Sequence, residues 1–469
     1  MPSRYLSFRC SVPWLILLLQ ALLLTRSYFG FPGVSDTYAS SNSYPAFQDV
    51  THMVIFGFGF FLMVLRRYGF SSTGFNFFLV VLGVQCSMLA EDLLVFIRGQ
   101  QNQVGMESLA KAVVSTTAVV ISTGAVLGKA NPVQLIVMTL VELIFFYVSR
   151  CINRTLLEVP EPLTVMHVHL FGAYFGLALT SRFPEPPPGL DKNRSTPKSE
   201  LLSVLGTVFV WVFWPSFNSI LADSKKKAVL NTYLALAVSA VAAFMLSALT
   251  SKDGKFRMAH IRSAALAGGV AVSYTAHLIQ HPWIAMILGL LGSVITILGS
   301  HCLQVMLKPL NGSWISCVNV CNYQLVTLGV NETFSSSQRC FNPALKLQDT
   351  SGVHFTFGLP AVLGAVAAVV LRVVEDGIAT QWNDLSSLGY TAFYYIGAFC
   401  QTISTALITG FITETPITQN PPLPWCLFCI SLSLTTGLIL NIKLLKAVHV
   451  SKYFDDQFYW EFPHLSVGF

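Results

Sequence analysis

His167 and His169 stand two residues apart at the head of an apolar stretch, "MHVHLFGAYFGLALTSR" (166 to 182). Imidazole donates and accepts hydrogen bonds and can carry a proton. Inside a membrane span such a group is costly, so it marks either a buried polar contact or a water-lined path. Two positions along a helix amount to about 200° of rotation, so both rings cannot line one conduit. One of them is left to pack against a neighbouring helix. Glu91, Asp92 and Glu142 also interrupt apolar runs; snorkelling at helix ends or ion pairing is the expectation for all three, with proton exchange as the alternative. Cys317/Cys321 and Cys426/Cys429 have metal-like spacing without further ligands, so the ten cysteines read as small apolar fillers. Phosphate loops, HExxH, nucleophile elbows and haem or zinc spacings do not occur. No metal, no cofactor and no enzyme activity are expected.

The elements that must position these residues are membrane helices. The chain has 469 residues, 53% hydrophobic and 11% charged, with a mean hydropathy of +0.62. Soluble domains carry roughly 25% charge, and no soluble domain fits between the apolar runs. Runs of about 20 residues, each able to cross a hydrocarbon core of roughly 30 Å, recur at about 13–30, 48–65, 72–97, 108–128, 132–149, 163–181, 201–221, 229–250, 261–280, 284–305, 352–374 and from about 390 onward. The prediction is an all-α polytopic membrane protein of about twelve transmembrane helices in one domain, 1–469.

With the amino terminus in the cytoplasm, "RR" (Arg66, Arg67), "RFPEPPPGLDKNRSTPK" and "SKDGKFR" all fall inside, as the positive-inside rule prefers; "ADSKKK" is the main dissent. The net charge of +6 therefore reads as orientation, and nucleic acid is not implied. The first run follows Arg4 and Arg9 like a signal peptide but lacks a small-residue cleavage site, which favours an uncleaved span. Residues 308–348 and 413–422 are atypical, reading as insertions. If "LPWCLFCISLSLTTGLILNI" spans by itself the tail lies outside; Lys443 and Lys446 at its far end prefer the cytoplasm, and on that ground 443–469 reads as a cytoplasmic tail.

Six stretches in combination carry a resemblance: "GAVLGKANPVQL", "HLFGAYFGL", "FWPSFNS", "LAGGVAV", "DTSGVH" and the tail "KYFDDQ" with "FPHLSVGF". The chain resembles the Rh proteins of the ammonium transporter superfamily, and its tail is most similar to the erythroid Rh blood-group polypeptides. The resemblance covers nearly the whole chain except the two atypical segments. It implies an inverted internal repeat, one narrow conduit per subunit and a homo- or hetero-trimer in the plasma membrane of erythroid cells. The implied partners are an Rh-associated glycoprotein, membrane lipid and the ankyrin-linked skeleton.

In that family two hydrogen-bonded histidines line the conduit. His169 aligns with the first; the second falls in the family pattern GVHNLHG, which here reads GVHFTFG, so the pore position is Phe357 and His354 is its upstream neighbour. Phenyl neither donates nor accepts a hydrogen bond, so a twin-histidine pore cannot form. The family's carboxylate eight residues before the first pore histidine corresponds to Glu161. Of the two stacked phenylalanines at its outer gate, one corresponds to Phe217 and the other to Val114. The resemblance thus implies a membrane subunit of an Rh complex with little or no conduction of its own. The alternative is a channel for ammonia, ammonium or carbon dioxide.

Overall fold

The computed structural model describes residues 5–30, 44–97, 105–183, 194–251, 254–306, 339–342, 347–379, 385–418 and 453–460. Among them, nine helices are long and apolar enough to cross a membrane. In chain order the helices are α1 (Tyr5–Gly30), α2 (Tyr44–His52), α3 (Phe58–Phe61), α4 (Gly69–Ile97), α5 (Met106–Ala125), α6 (Pro132–Thr155), α7 (Glu161–Met166), α8 (Val168–Leu179), α9 (Pro197–Ser219), α10 (Lys225–Thr250), α11 (Met258–Ala271), α12 (Pro282–Met306), α13 (Leu359–Ala379) and α14 (Leu385–Thr418). The other three expected crossings are α1, the interrupted α2–α3 unit and the short α11. Nine and three make the twelve helical segments expected, in the expected order. The strands β1 (Arg339–Asn342) and β2 (Leu347–Asp349) pair antiparallel within the atypical 308–348 stretch.

Local chemistry sets the helix ends. Asn131 caps α6 reciprocally with Gln134, and Thr196 caps α9 with Ser199, each ahead of a proline at the first helical position. Where lipid gives helices no hydrophobic reason to associate, small residues let backbones close up. A Cβ on Gly172 of α8 would lie 2.4 Å from the carbonyl oxygen of Ala118 on α5, so that helix pair requires glycine there.

Three interruptions shape the interior. A π turn at Met53–Gly57 joins α2 to α3, and a second at His354–Gly358 leads into α13. The third is the tightened turn at His167, with φ −61° and ψ −3°, which joins α7 to α8. Asp349 fixes the start of the second π turn by accepting the N–H groups of Gly352, Val353 and His354 at 2.8–2.9 Å. Burial holds this carboxyl above its ordinary value, while the three N–H groups favour its charged form.

The carboxyl-terminal segment 453–460 docks at the end of the bundle that carries Arg66 and Arg67. Phe454 N–H donates to Gly128 O at 2.9 Å and Asp456 N–H to Arg67 O at 2.8 Å. Gly128 has φ +81°, which glycine adopts freely, and a Cβ there would strike the Phe454 ring. The segment therefore lies at the same end of the bundle as Arg66 and Arg67. Of the atypical segments, Gln348 is buried between Lys129, Thr180 and Phe183, and Thr413–Thr418 continue α14. Residues 419–422 and both spaced cysteine pairs lie outside the described residues.

Candidate functional site

His169, on the first turn of α8, is enclosed by aromatic rings. Its ring meets Trp214 edge-on at 5.7 Å between centroids, Phe217 at 5.7 Å and Phe357 edge-on at 6.5 Å. Trp214 and Phe217 come from α9, Phe357 from the second π turn. Phe357 is packed in turn by Trp214 at 6.4 Å, Phe58 at 5.8 Å and Phe61 at 6.1 Å. Each of these side chains is 0–1% accessible. Ammonia is about the size of water, so these rings leave next to no room for it beside His169.

Neither nitrogen of His169 has a hydrogen-bond partner. The position opposite it belongs to Phe357, which supplies none. His354 sits to one side, edge-on to Tyr174 and Phe355. His167 is differently placed. Its Nδ1 lies 2.9 Å from Thr402 Oγ1 and 3.2 Å from Asn153 Nδ2, and its ring packs between Phe399 and Tyr274. Because Thr402 gives its own hydrogen to Ala398 O, the consistent tautomer has His167 Nδ1–H donating to Thr402. This ties α8 to α14.

The two histidines should therefore respond oppositely to removal of their polarity. His167→Leu strips a buried hydrogen bond from Thr402 and lowers stability by about 1–3 kcal/mol, whereas His169→Leu removes only nitrogens without a partner among the described residues and changes it by less than about 1 kcal/mol. Thermal unfolding of the two purified variants in detergent checks this; equal losses would contradict it.

Glu161 opens α7, eight residues or about 12 Å along the helix path from His169. Lys111 lies 3.0 Å from its carboxylate, Arg150 lies 3.7 Å away and Arg154 pairs with it directly. Three cations thus hold one carboxylate. Arg150 also pairs with Glu91 at 2.5 Å and stacks on the Tyr147 ring at 4.8 Å. Val114 is wholly buried on α5, one turn inward from Lys111. The structure therefore brings His169, Phe357 and Phe217 into ring contact, and sets Val114 and Glu161 toward the end of the bundle where α5 and α7 begin.

Pairing accounts for Glu91 with Arg150 and for Asp92 with Arg26 at 3.3 Å. Glu142 departs from the expectation. It neither snorkels nor pairs with a cation: it lies mid-helix on α6, wholly buried, with Oε2 accepting from Ser122 Oγ and Oε1 without a partner.

Sequence reasoning missed Phe58, Phe61 and Trp214 as walls of the His169 chamber, and Lys111, Arg150 and Arg154 as holders of Glu161. The first had a signal in the paired phenylalanines of "GFGFF" (57–61) and in the tryptophan of "FWPSFNS". The second had one in basic residues lodged within or beside apolar runs.

Twelve helical segments around an occluded histidine define a multi-pass membrane bundle. Comparison with known proteins narrows the class. Residues 14–310 match the Ammonium Transporter Family. The chain is 38% identical to an RH-like protein of Macaca mulatta and 36% identical to the Blood group Rh(CE) polypeptide of Homo sapiens, with all of both chains covered in each case. Among solved structures it resembles Nitrosomonas europaea Rh50, described with a mechanism of conduction by the Rhesus family of channels. The TM-score is 0.65 at 24% identity, over 91% of this chain and 93% of that one. Candida albicans Mep2 is also similar in fold, with a TM-score of 0.58 at 13% identity over 89% and 88% of the two chains. The chain belongs to the ammonium transporter family, in its Rh branch.

Proposed function

We propose that this chain is a membrane subunit of an Rh complex whose own conduit is closed, acting beside an Rh-associated glycoprotein that conducts. The observation that carries the reading is the packing around Phe357: five aromatic side chains and His169 leave no water-sized space where a pore histidine pair would stand. In this reading His169 is a retained pore residue, Phe357 the ring that replaces its partner, and Phe217 with Val114 the remnant of an outer gate. Glu161, which would recruit a cation, is neutralised by its three basic neighbours. The site calls for no catalytic group.

The assembly would be a trimer in the erythroid plasma membrane, formed by one single-domain chain with its 443–469 tail in the cytoplasm. Docking of residues 453–460 on the basic end supports that side for the tail, the side on which an ankyrin-linked skeleton lies. A second reading, a channel for ammonia or carbon dioxide, is favoured by one observation: both His169 nitrogens are unpartnered and could bond a permeant.

Co-expression separates the readings. The chain purified with an Rh-associated glycoprotein should form a mixed trimer by native mass, and proteoliposomes of that complex should admit ammonia in proportion to glycoprotein copies. Homotrimers only, or a flux that counts every chain, would overturn the proposal.

A further inference from the structure

A groove of about 550 Å³ runs along the outside of the bundle between α4 and the α2–α3 unit. Phe56, Phe60, Met63, Phe70 and Phe77 line it, and Phe56, Phe70 and Phe77 are 51–57% exposed. From Gly69 to Phe77 it follows α4 for about 12 Å at 1.5 Å per residue. Arg66 and Arg67 also line it, at the cytoplasmic end. Along its length the wall is apolar, as an acyl chain requires, and its end carries two permanent cations at the level of lipid headgroups.

The charge at that end is available. Among the described residues no ion pair engages Arg66 or Arg67. Asp455 and Asp456 border the groove too, but their carboxylates bond backbone. Asp456 accepts the N–H groups of Phe70 and Ser71 at 2.9 Å each, capping α4, and Asp455 accepts from Gln457 N–H at 3.4 Å. Planar guanidinium groups suit a phosphodiester, to which they can donate two parallel bonds.

We propose that this groove binds one phospholipid with an anionic headgroup from the cytoplasmic leaflet. Arg66 and Arg67 hold its phosphate, and one acyl chain lies along Phe60, Phe70 and Phe77. The docked tail, joined to Arg67 through Asp456 N–H, forms one rim of the headgroup site. The inference is independent of whether the conduit conducts.

Native mass spectrometry of the full chain in detergent tests it, with phosphatidylserine, phosphatidylcholine and soluble glycerophosphoserine as probes. One phosphatidylserine should be retained per chain, in preference to phosphatidylcholine, and glycerophosphoserine should not be retained. Arg66→Gln with Arg67→Gln should weaken phosphatidylserine about thirtyfold, near fivefold per arginine, and phosphatidylcholine by less, because the choline cation offsets its phosphate. Thr73→Trp, which fills the groove without touching the arginines, should weaken both lipids. Equal retention of the two lipids, or unchanged phosphatidylserine binding in the arginine variant, would overturn the proposal. So would disulfide cross-linking of Phe56→Cys between copies of the chain, since the groove would then be an interface.

Discussion

Phe357→His, made alone and reconstituted in proteoliposomes, leaves ammonia entry at the rate of empty vesicles. The substitution returns an imidazole to the position opposite His169, but three other walls of the chamber stay in place. Phe58, Phe61 and Trp214 each contact the Phe357 ring and remain buried against their own helices. Close-packed interiors relax only partly when one ring is replaced by a smaller one, so a void appears beside residue 357 rather than a continuous path. At the outer end, Glu161 stays neutralised by Lys111, Arg150 and Arg154. Stopped-flow pH change under an ammonium gradient is the readout. Entry above the empty-vesicle rate from this single change would mean that Phe357 alone closes the conduit.

Arg150→Met lowers stability by about 3–5 kcal/mol, enough to threaten folding in detergent. The side chain is 5% exposed, and its partner Glu91 is 9% exposed, so removing the cation strands a buried carboxylate. Glu161 loses one of three cations and Tyr147 loses the guanidinium over its ring. Replacing both members of the pair, as Glu91→Leu with Arg150→Met, should recover much of the loss, because two apolar chains leave no charge unpaired. Thermal unfolding of the single and double variants compares them. A double variant as unstable as the single would show that the damage lies in packing and not in the stranded charge.

Crossing helices were legible in the sequence because apolar runs of about 20 residues report directly on hydrocarbon thickness. His167 and His169 could be parted on helix geometry alone, since 3.6 residues per turn sets them on different faces. What His167 meets could not be read: Thr402 lies 235 positions away, and only tertiary packing brings it to the ring. The same holds for Arg67 and Asp456, or Lys129 and Gln348, where distant segments meet at one end of the bundle. Phe58 and Phe61 were hidden for another reason. Phenylalanine is common on lipid-facing and core-facing positions alike, and the π turn that rotates these two inward leaves no mark in hydropathy. Glu142 shows the limit in the other direction: the chain places an acid at the helix centre, and only the fold reveals that a hydroxyl, not a cation, receives it.

If the conduit of this Rh-branch chain is closed, the chain by itself passes no ammonia. Stopped-flow ammonia entry into proteoliposomes holding the purified chain alone, beside a conducting Rh protein and empty vesicles, tests it most directly. With folding and insertion verified, the chain should match the empty vesicles; ammonia entry faster than theirs would mean that His169 facing Phe357 is an open path.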